Sequence, residues 1–222
     1  MKAHIDCLPS ATLVTLRRLR GLVAANGFIL AGGTGLALHI GHRVSVDLDF
    51  FTDKQFFTSE VFEEIKKLGL KGRVIQDEKG TLTMFVNETK VSFLGYSYGF
   101  AEKLTYVEGV AVAGIYDIAS MKVIAISQRG AKRAFVDLYF IMQDAPFWKV
   151  AQNLVTRYGA DRINPVHIGK SLVFFDDAET DPDPLYTKTG QTDWKRVKRF
   201  FKDNCRQMVI DMQKAVEAEE AR

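Results

Sequence analysis

Cysteine is scarce: Cys7 and Cys205 are the only two, they lie near opposite ends of the chain, and neither belongs to a Cys-x-x-Cys motif. That argues against a zinc site or a disulfide framework and leaves two ordinary thiols. Long apolar runs are also missing. No stretch approaches the roughly eighteen consecutive apolar residues of a membrane-spanning helix, and Asp6 interrupts the N-terminal segment where a signal peptide needs an apolar core. No membrane is expected as a partner, and residence in the cytoplasm is expected. Charge of one sign is lacking too. A net charge of +3 and a pI near 8.8 do not demand nucleic acid but suit a phosphate-rich partner, so the placement of basic residues matters more than their number. What is present is ordinary globular chemistry: 47% hydrophobic and 26% charged residues exclude a disordered chain. The 222 residues suffice for one full domain with a helical appendage, or for two small domains.

Leu13, Leu16, Leu19, Leu22 and Val23 recur at helical spacing over 11–25, and Asn26-Gly27 supplies a stop. Phe28-Ile29-Leu30-Ala31 reads as a buried strand running into a Gly32-Gly33 turn, with a helix over 34–40. Residues 44–51 alternate, with Val44, Val46, Leu48 and Phe50 on one face and Ser45, Asp47 and Asp49 on the other, which predicts a strand. A helix of about ten residues capped by Thr58 follows, then strands at 74–75, 81–86 and 91–95, the last two joined as a hairpin. Residues 107–115 form one strand or two short ones turning at Glu108-Gly109. Asp117 is expected to cap a helix to Ser127, and a second helix spans 131–143. The remainder is helical apart from 174–185, where five acids and two prolines mark an exposed loop. A long final helix over 193–220 carries the stripe Trp194, Val197, Phe201, Met208 and Met212.

Asp47 and Asp49, two apart on a strand, point the same way with Cα atoms about 7 Å apart. Like charges that close repel, and a cation between them relieves the repulsion; oxygen-only ligation suits Mg²⁺ carrying a triphosphate. Asp-x-Asp on an exposed strand also arises by chance, so its neighbours carry the weight. Gly32-Gly33-Thr34 lies at a strand-to-helix turn, where missing Cβ atoms and a helix N-terminus favour phosphate. No Gly-Lys-Ser/Thr follows, which excludes the phosphate loop of nucleoside triphosphatases, and the acids come too early for a dinucleotide fingerprint.

Strand, Gly-Gly-Thr, short helix, then Arg43-x-Ser45-x-Asp47-x-Asp49 resembles the first motif of the nucleotidyltransferase superfamily. The fuller strings Gly32-Gly33-Thr34-Gly35-Leu36-Ala37-Leu38 and Ser45-Val46-Asp47-Leu48-Asp49-Phe50-Phe51 resemble the AbiEii/AbiGii abortive-infection toxin family. A second block is similar to that family's Lys, Arg and Asp-Leu-Tyr helices: Met121-Lys122-Val123-Ile124-Ala125-Ile126 with Arg129, then Arg133-Ala134-Phe135-Val136-Asp137-Leu138-Tyr139. The resemblance implies an α/β fold, with a nucleotidyltransferase-like mixed-sheet core over 1–115 and a helical region over 116–222 completing the cleft. It implies nucleotide binding by Gly32, Gly33, Thr34, Arg43, Ser45 and Lys122, Mg²⁺ held by Asp47 and Asp49, and Asp137 completing a catalytic set with Asp47, Asp49 and Lys122. A nucleoside triphosphate as donor, tRNA as acceptor and a separately encoded antitoxin are the partners it implies.

One departure stands out. Full nucleotidyltransferases place a third carboxylate on a later strand, and within 90–94 that position holds Ser92, neither an anchor for a metal nor a competent base near neutral pH. Proton transfer then falls to Asp137, to a displaced Glu88 or to the substrate. A catalytically weak nucleotide- or partner-binding module is therefore the first rival. A glycosyltransferase, which also uses Asp-x-Asp, is the second, and the glycine turn ahead of the pair speaks against it. Lys195, Lys198, Arg199, Lys202 and Arg206 share one side of the last helix, more simply a soluble face than an RNA contact. Tyr96, Tyr98 and Phe100 fit core packing better than base stacking, and His39 and His42 lack a further metal ligand.

Overall fold

The computed structural model describes residues 3–221. The chain divides into two compact units, one from Met1–Gly99 with Lys103–Ala113, the other from Phe100–Glu102 with Gly114–Arg222. Among the described residues no helix is long and apolar enough to cross a membrane.

The first unit is a mixed seven-stranded sheet with helices. In chain order it contains α1 (Ser10–Ala25), β1 (Ile29–Leu30), α2 (Gly32–Ile40), β2 (Leu48–Thr52), α3 (Thr58–Lys67), β3 (Gly72–Glu78), β4 (Thr81–Val86), β5 (Thr89–Gly95), β6 (Thr105–Val107) and β7 (Val110–Val112). The sheet order is β3-β4-β5-β2-β1-β7-β6; β2 runs parallel to β5 and β1 to β7, while β1 and β2 are antiparallel. The leucine spacing of α1 buries Leu16, Leu19 and Val23 completely against β2, β5 and β7. Under that helix, Phe93 stacks on Phe50 at 5.6 Å and meets Phe28 edge-on at 5.1 Å, each buried ring contributing about 1.5–3 kcal/mol by removal from water. The Asn26 amide donates to the Leu22 carbonyl at 2.9 Å and Gly27 takes φ +67°, so α1 stops where Asn-Gly predicts. The β6–β7 turn places Glu108 and Gly109 at φ +53° and +81°, the left-handed pair that a two-residue hairpin requires.

Three expectations need correction here. The strand predicted over 44–51 begins only at Leu48. Ser45 is buried and Val46 is 46% exposed, the reverse of the predicted alternation. The backbone of this stretch bonds to helices and turns instead of a strand partner: Ser45 N–H donates to the Cys7 carbonyl, the Thr12 hydroxyl to the Val46 carbonyl and the Thr34 hydroxyl to the Asp47 carbonyl. The strand over 28–31 shrinks to Ile29–Leu30. Phe57, not Thr58, is the residue before α3, and no side chain caps it.

The second unit is helical: α4 (Ile115–Gln128), α5 (Lys132–Asp144), α6 (Phe147–Tyr158), α7 (Pro165–Leu172), the single-turn α8 (Asp176–Glu179) inside the predicted acidic loop, and α9 (Trp194–Glu220). Phe135 of α5 centres its core, with Phe175, Trp194 and Phe201 at 5.2–5.8 Å. Asp193 caps α9 through the Arg196 N–H, and Val197, Phe201, Met208 and Met212 are buried as the stripe predicts. Asp117 is not the cap of α4. Gly114 precedes the helix, and Asp117 sits fully buried in the first turn, accepting the Ala101 and Glu102 N–H groups at 3.0 Å each. Glu102 reciprocates by accepting from Tyr116 and Asp117 N–H, so the orphan amides of the helix start are satisfied from outside it. Burial pushes the Glu102 carboxyl above its usual range despite those bonds.

His39 on α2 yields a pH prediction. It is 7% exposed, its Nε2 donates to the Ala113 carbonyl at 2.7 Å, and its Nδ1 is buried without a hydrogen-bond partner. Burial lowers its pKa, so the folded protein binds this proton less readily than the unfolded chain. The resulting stability is present above the ordinary value of about 6.5 and is lost as pH falls through the lowered one. Urea denaturation at pH 7.5, 6 and 5 is expected to show a decline that His39→Gln, which keeps a donor for Ala113, flattens.

Candidate active site

Strand register builds the centre of the site in the first unit. Ile29 pairs with Phe51 and Leu30 with Phe50 across β1 and β2. Ala31 therefore faces Asp49, and its N–H donates to the Asp49 carbonyl at 3.1 Å. The next residue, Gly32, turns with φ +63°, and a Cβ there would lie 3.1 Å from Asp49 Oδ2. Only glycine gives both the left-handed backbone and the close approach of chain to carboxylate. Gly33 is tight for another reason: a Cβ would collide with the Arg43 guanidinium, which is itself 4% exposed. The cation is thus packed directly behind the turn, with its Nη1 on the Val44 carbonyl at 3.2 Å and the Ser45 hydroxyl at 3.4 Å.

Thr34 ties the pieces together. Its buried hydroxyl bonds the Ser45 hydroxyl at 2.8 Å and the Asp47 carbonyl, fixing the backbone that carries Asp47 just ahead of β2. Asp47 and Asp49 are both half-buried, as are Gly32 and Gly33. α2 begins at Gly32 after Ala31, whose own side chain makes no capping hydrogen bond, and a helix N-terminus of this kind favours an anion through its first amides and dipole. The structure thus brings Gly32, Gly33, Thr34, Arg43, Ser45, Asp47 and Asp49 together.

The second block lies in the helical unit. Lys122 of α4 and Asp137 of α5 form an ion pair at 2.6 Å, with side chains 13% and 0% exposed. Arg129 and Arg133 are exposed. Ser92 stands beside Asp49 in the parallel β2–β5 register, where a third carboxylate would sit. Glu88 is exposed in the β4–β5 turn, four residues before it. Among the described residues no three His, Cys, Asp or Glu side chains converge as a metal cluster. Burial raises the Cys7 thiol pKa above its usual value, the neighbouring Asp6 adds to that and Arg43 opposes it, so the thiol stays protonated. A cavity of about 920 Å³ lies at the far end of β2 and β5, lined by Lys54, Phe56, Thr58, Lys79 and Gly95 among others, and contains none of the expected site residues. On α9, Lys198 is drawn into a 2.5 Å pair with Glu179, while Lys195, Arg199, Lys202 and Arg206 remain exposed.

Residues 15–100 match the family described as "Nucleotidyl transferase AbiEii toxin, Type IV TA system", a span containing the whole glycine and carboxylate arrangement. Over 192 residues the chain is 37% identical to the uncharacterized protein aq_aa25 of Aquifex aeolicus, covering 84% of this chain and 90% of that one. The chain belongs to the AbiEii nucleotidyltransferase family. Its fold is shared with JHP933 from Helicobacter pylori, at TM-score 0.57 and 16% identity over 96% of this chain and 98% of that one. It is also shared with the nucleotidyltransferase toxin MenT4 of Mycobacterium tuberculosis, at TM-score 0.56 and 16% identity over 92% and 91%.

The packing sets three stability expectations. Gly32→Ala is expected to cost about 1–2 kcal/mol in urea denaturation through the left-handed backbone. Gly21→Ala, in mid-helix with open space around it, is expected to gain about 0.5–1 kcal/mol. Lys122→Ala removes the ion-pair partner of a fully buried carboxylate and is expected to cost about 3–5 kcal/mol, whereas Lys122→Met with Asp137→Leu regains most of that loss. Thermal unfolding of the four variants beside wild type checks all three.

Proposed function

We propose that the protein is a Mg²⁺-dependent nucleotidyltransferase that moves a nucleotide from a nucleoside triphosphate to an RNA acceptor, with tRNA the expected acceptor. In this reading it acts as a toxin restrained by a separately encoded antitoxin, and MenT4, itself named a nucleotidyltransferase toxin, has the same fold. One juxtaposition carries the chemistry: the helix N-terminus at Gly32-Gly33 lies against the Asp49 carboxylate. Amides suited to an anion and carboxylates suited to a cation, side by side, match a metal–triphosphate complex better than either ion alone.

The donor set fits Mg²⁺. Asp47 and Asp49 supply oxygen ligands, and with no third His, Cys, Asp or Glu converging there among the described residues, the other positions fall to phosphate and water oxygens. Bound there, the ion would neutralise charge on the α-phosphoryl and leaving pyrophosphate oxygens. Gly32, Gly33 and Thr34 bind through backbone N–H groups, since the Thr34 hydroxyl is already engaged by Ser45 and Asp47. Ser45, buried and bonded to Thr34 and Arg43, supports the turn from behind. Arg43, nearly buried behind Gly33, adds positive potential to the turn. The resemblance gives Lys122 a phosphate-binding role; within the helical unit it is ion-paired with the buried Asp137. The acceptor hydroxyl attacks the α-phosphorus, the bridging bond to the β-phosphate breaks, pyrophosphate leaves, and the hydroxyl proton passes to a phosphate oxygen of the substrate. Ser92 cannot take that role.

The position of Ser92 beside Asp49 favours a second reading, a module that binds Mg²⁺ and triphosphate without turnover. One experiment separates the two. Purified protein is incubated with bulk tRNA, Mg²⁺ and each α-labelled triphosphate in turn, alongside Asp47→Ala and Lys122→Met, with thermal unfolding run in parallel to exclude misfolding. Label is expected in RNA with wild type alone. Nucleotide binding with no label under any condition would favour the binding module.

A further inference from the structure

The sheet face that carries Asp49 continues past the carboxylate. Alternation puts Asp49 and Phe51 on the side of β2 opposite the fully buried Leu48 and Phe50. The parallel register sets Ser92 beside Asp49 and Leu94 beside Phe51. Tyr96 extends that same alternation beyond β5, held by its N–H on the Thr52 carbonyl at 2.7 Å. Its ring meets Phe51 edge to face at 5.4 Å, and Tyr98 meets Tyr96 at 5.3 Å. The three rings thus touch in succession, starting two residues from Asp49 on its face of β2 and passing beyond the end of β5. All three are half-buried, unlike Phe28, Phe50 and Phe93, which are 0–1% exposed in the core below.

We propose that Phe51, Tyr96 and Tyr98 form a stacking shelf for a nucleobase, placed one nucleotide's reach from the carboxylate pair; this rests on the nucleotidyltransferase reading above. Every base has a π-face, and a partly accessible aromatic row offers it stacking worth about 1–3 kcal/mol. The edge-to-face packing holds the rings in fixed orientation, so little side-chain entropy is lost on binding. The base comes either from the incoming triphosphate or from an unpaired acceptor nucleotide.

Calorimetric titration of the full chain distinguishes these sources. The ligands are Mg²⁺ with each nucleoside triphosphate, Mg²⁺ with inorganic triphosphate, and a short single-stranded RNA. The proteins are wild type, Tyr96→Leu, Tyr98→Leu and Tyr96→Phe, each checked by thermal unfolding. Either leucine variant is expected to weaken a base-bearing ligand about tenfold, a loss within the stacking range. Inorganic triphosphate should be unchanged and Tyr96→Phe should behave as wild type. Weakened nucleotide assigns the shelf to the donor base, and weakened RNA alone assigns it to the acceptor; either upholds the proposal. If Tyr96→Leu does not fold, Tyr98→Leu at the end of the row carries the comparison. Equal binding of all ligands by the leucine variants, or an equal loss that includes inorganic triphosphate, overturns the shelf while leaving the transferase reading intact. Wild type that binds neither triphosphate overturns both.

Discussion

The contact between the Gly32 turn and the Asp49 carboxylate governs the rest of the site. It follows from register: two residues of β1 paired antiparallel with β2 set Ala31 across from Asp49, so the chain must turn where a side chain would strike the carboxylate. A one-residue slip would send every side chain of β2 to the other face and would carry Asp49 into the core now filled by Phe50 and Phe93. The buried aromatic packing that holds the register therefore also holds the acid at the surface, and stability and chemistry share one set of contacts.

Asp47 is controlled differently. It lies before the strand, where no ladder fixes it, and the Thr34 hydroxyl takes over by bonding its carbonyl. Thr34 belongs to the first turn of α2, so one residue couples the glycine turn to the segment that carries Asp47. The Arg43 guanidinium fills the space behind Gly33, which places positive charge close to the turn without exposing it to water. Buried charge of this kind is screened little by salt. In the helical unit, the Lys122–Asp137 pair joins two helices through a carboxylate with no solvent exposure, so its loss removes structure as well as charge.

Much of this was legible in the sequence. Leucine periodicity located α1, Asn-Gly its end, and the Asn87-Glu88 and Glu108-Gly109 turns their hairpins, because local backbone chemistry decides these features. The glycine turn was readable for the same reason, and Asp49 lies on the expected strand while Asp47 falls just before it. What escaped were outcomes decided by distant partners. Val44 to Asp47 alternate like a strand, yet their backbone bonds go to Cys7, Thr12 and Thr34, residues whose proximity only the fold creates. Asp117 looks like a cap by position, but the Phe100–Glu102 segment packs with the helical unit, so Glu102 serves the amides and Asp117 turns inward. The burial of Arg43 and the Lys122–Asp137 pairing are likewise tertiary, and neither spacing nor charge pattern announces them.

The most direct measurement is a crystal of the protein grown with Mn²⁺, standing in for Mg²⁺, and a non-hydrolysable nucleoside triphosphate analogue. The expected anomalous signal lies between the Asp47 and Asp49 carboxylates, with phosphate oxygens against the amides of residues 32–34. Manganese elsewhere, or the triphosphate seated instead in the 920 Å³ cavity beyond Gly95, would contradict the assignment of this turn as the place where nucleotide and metal meet.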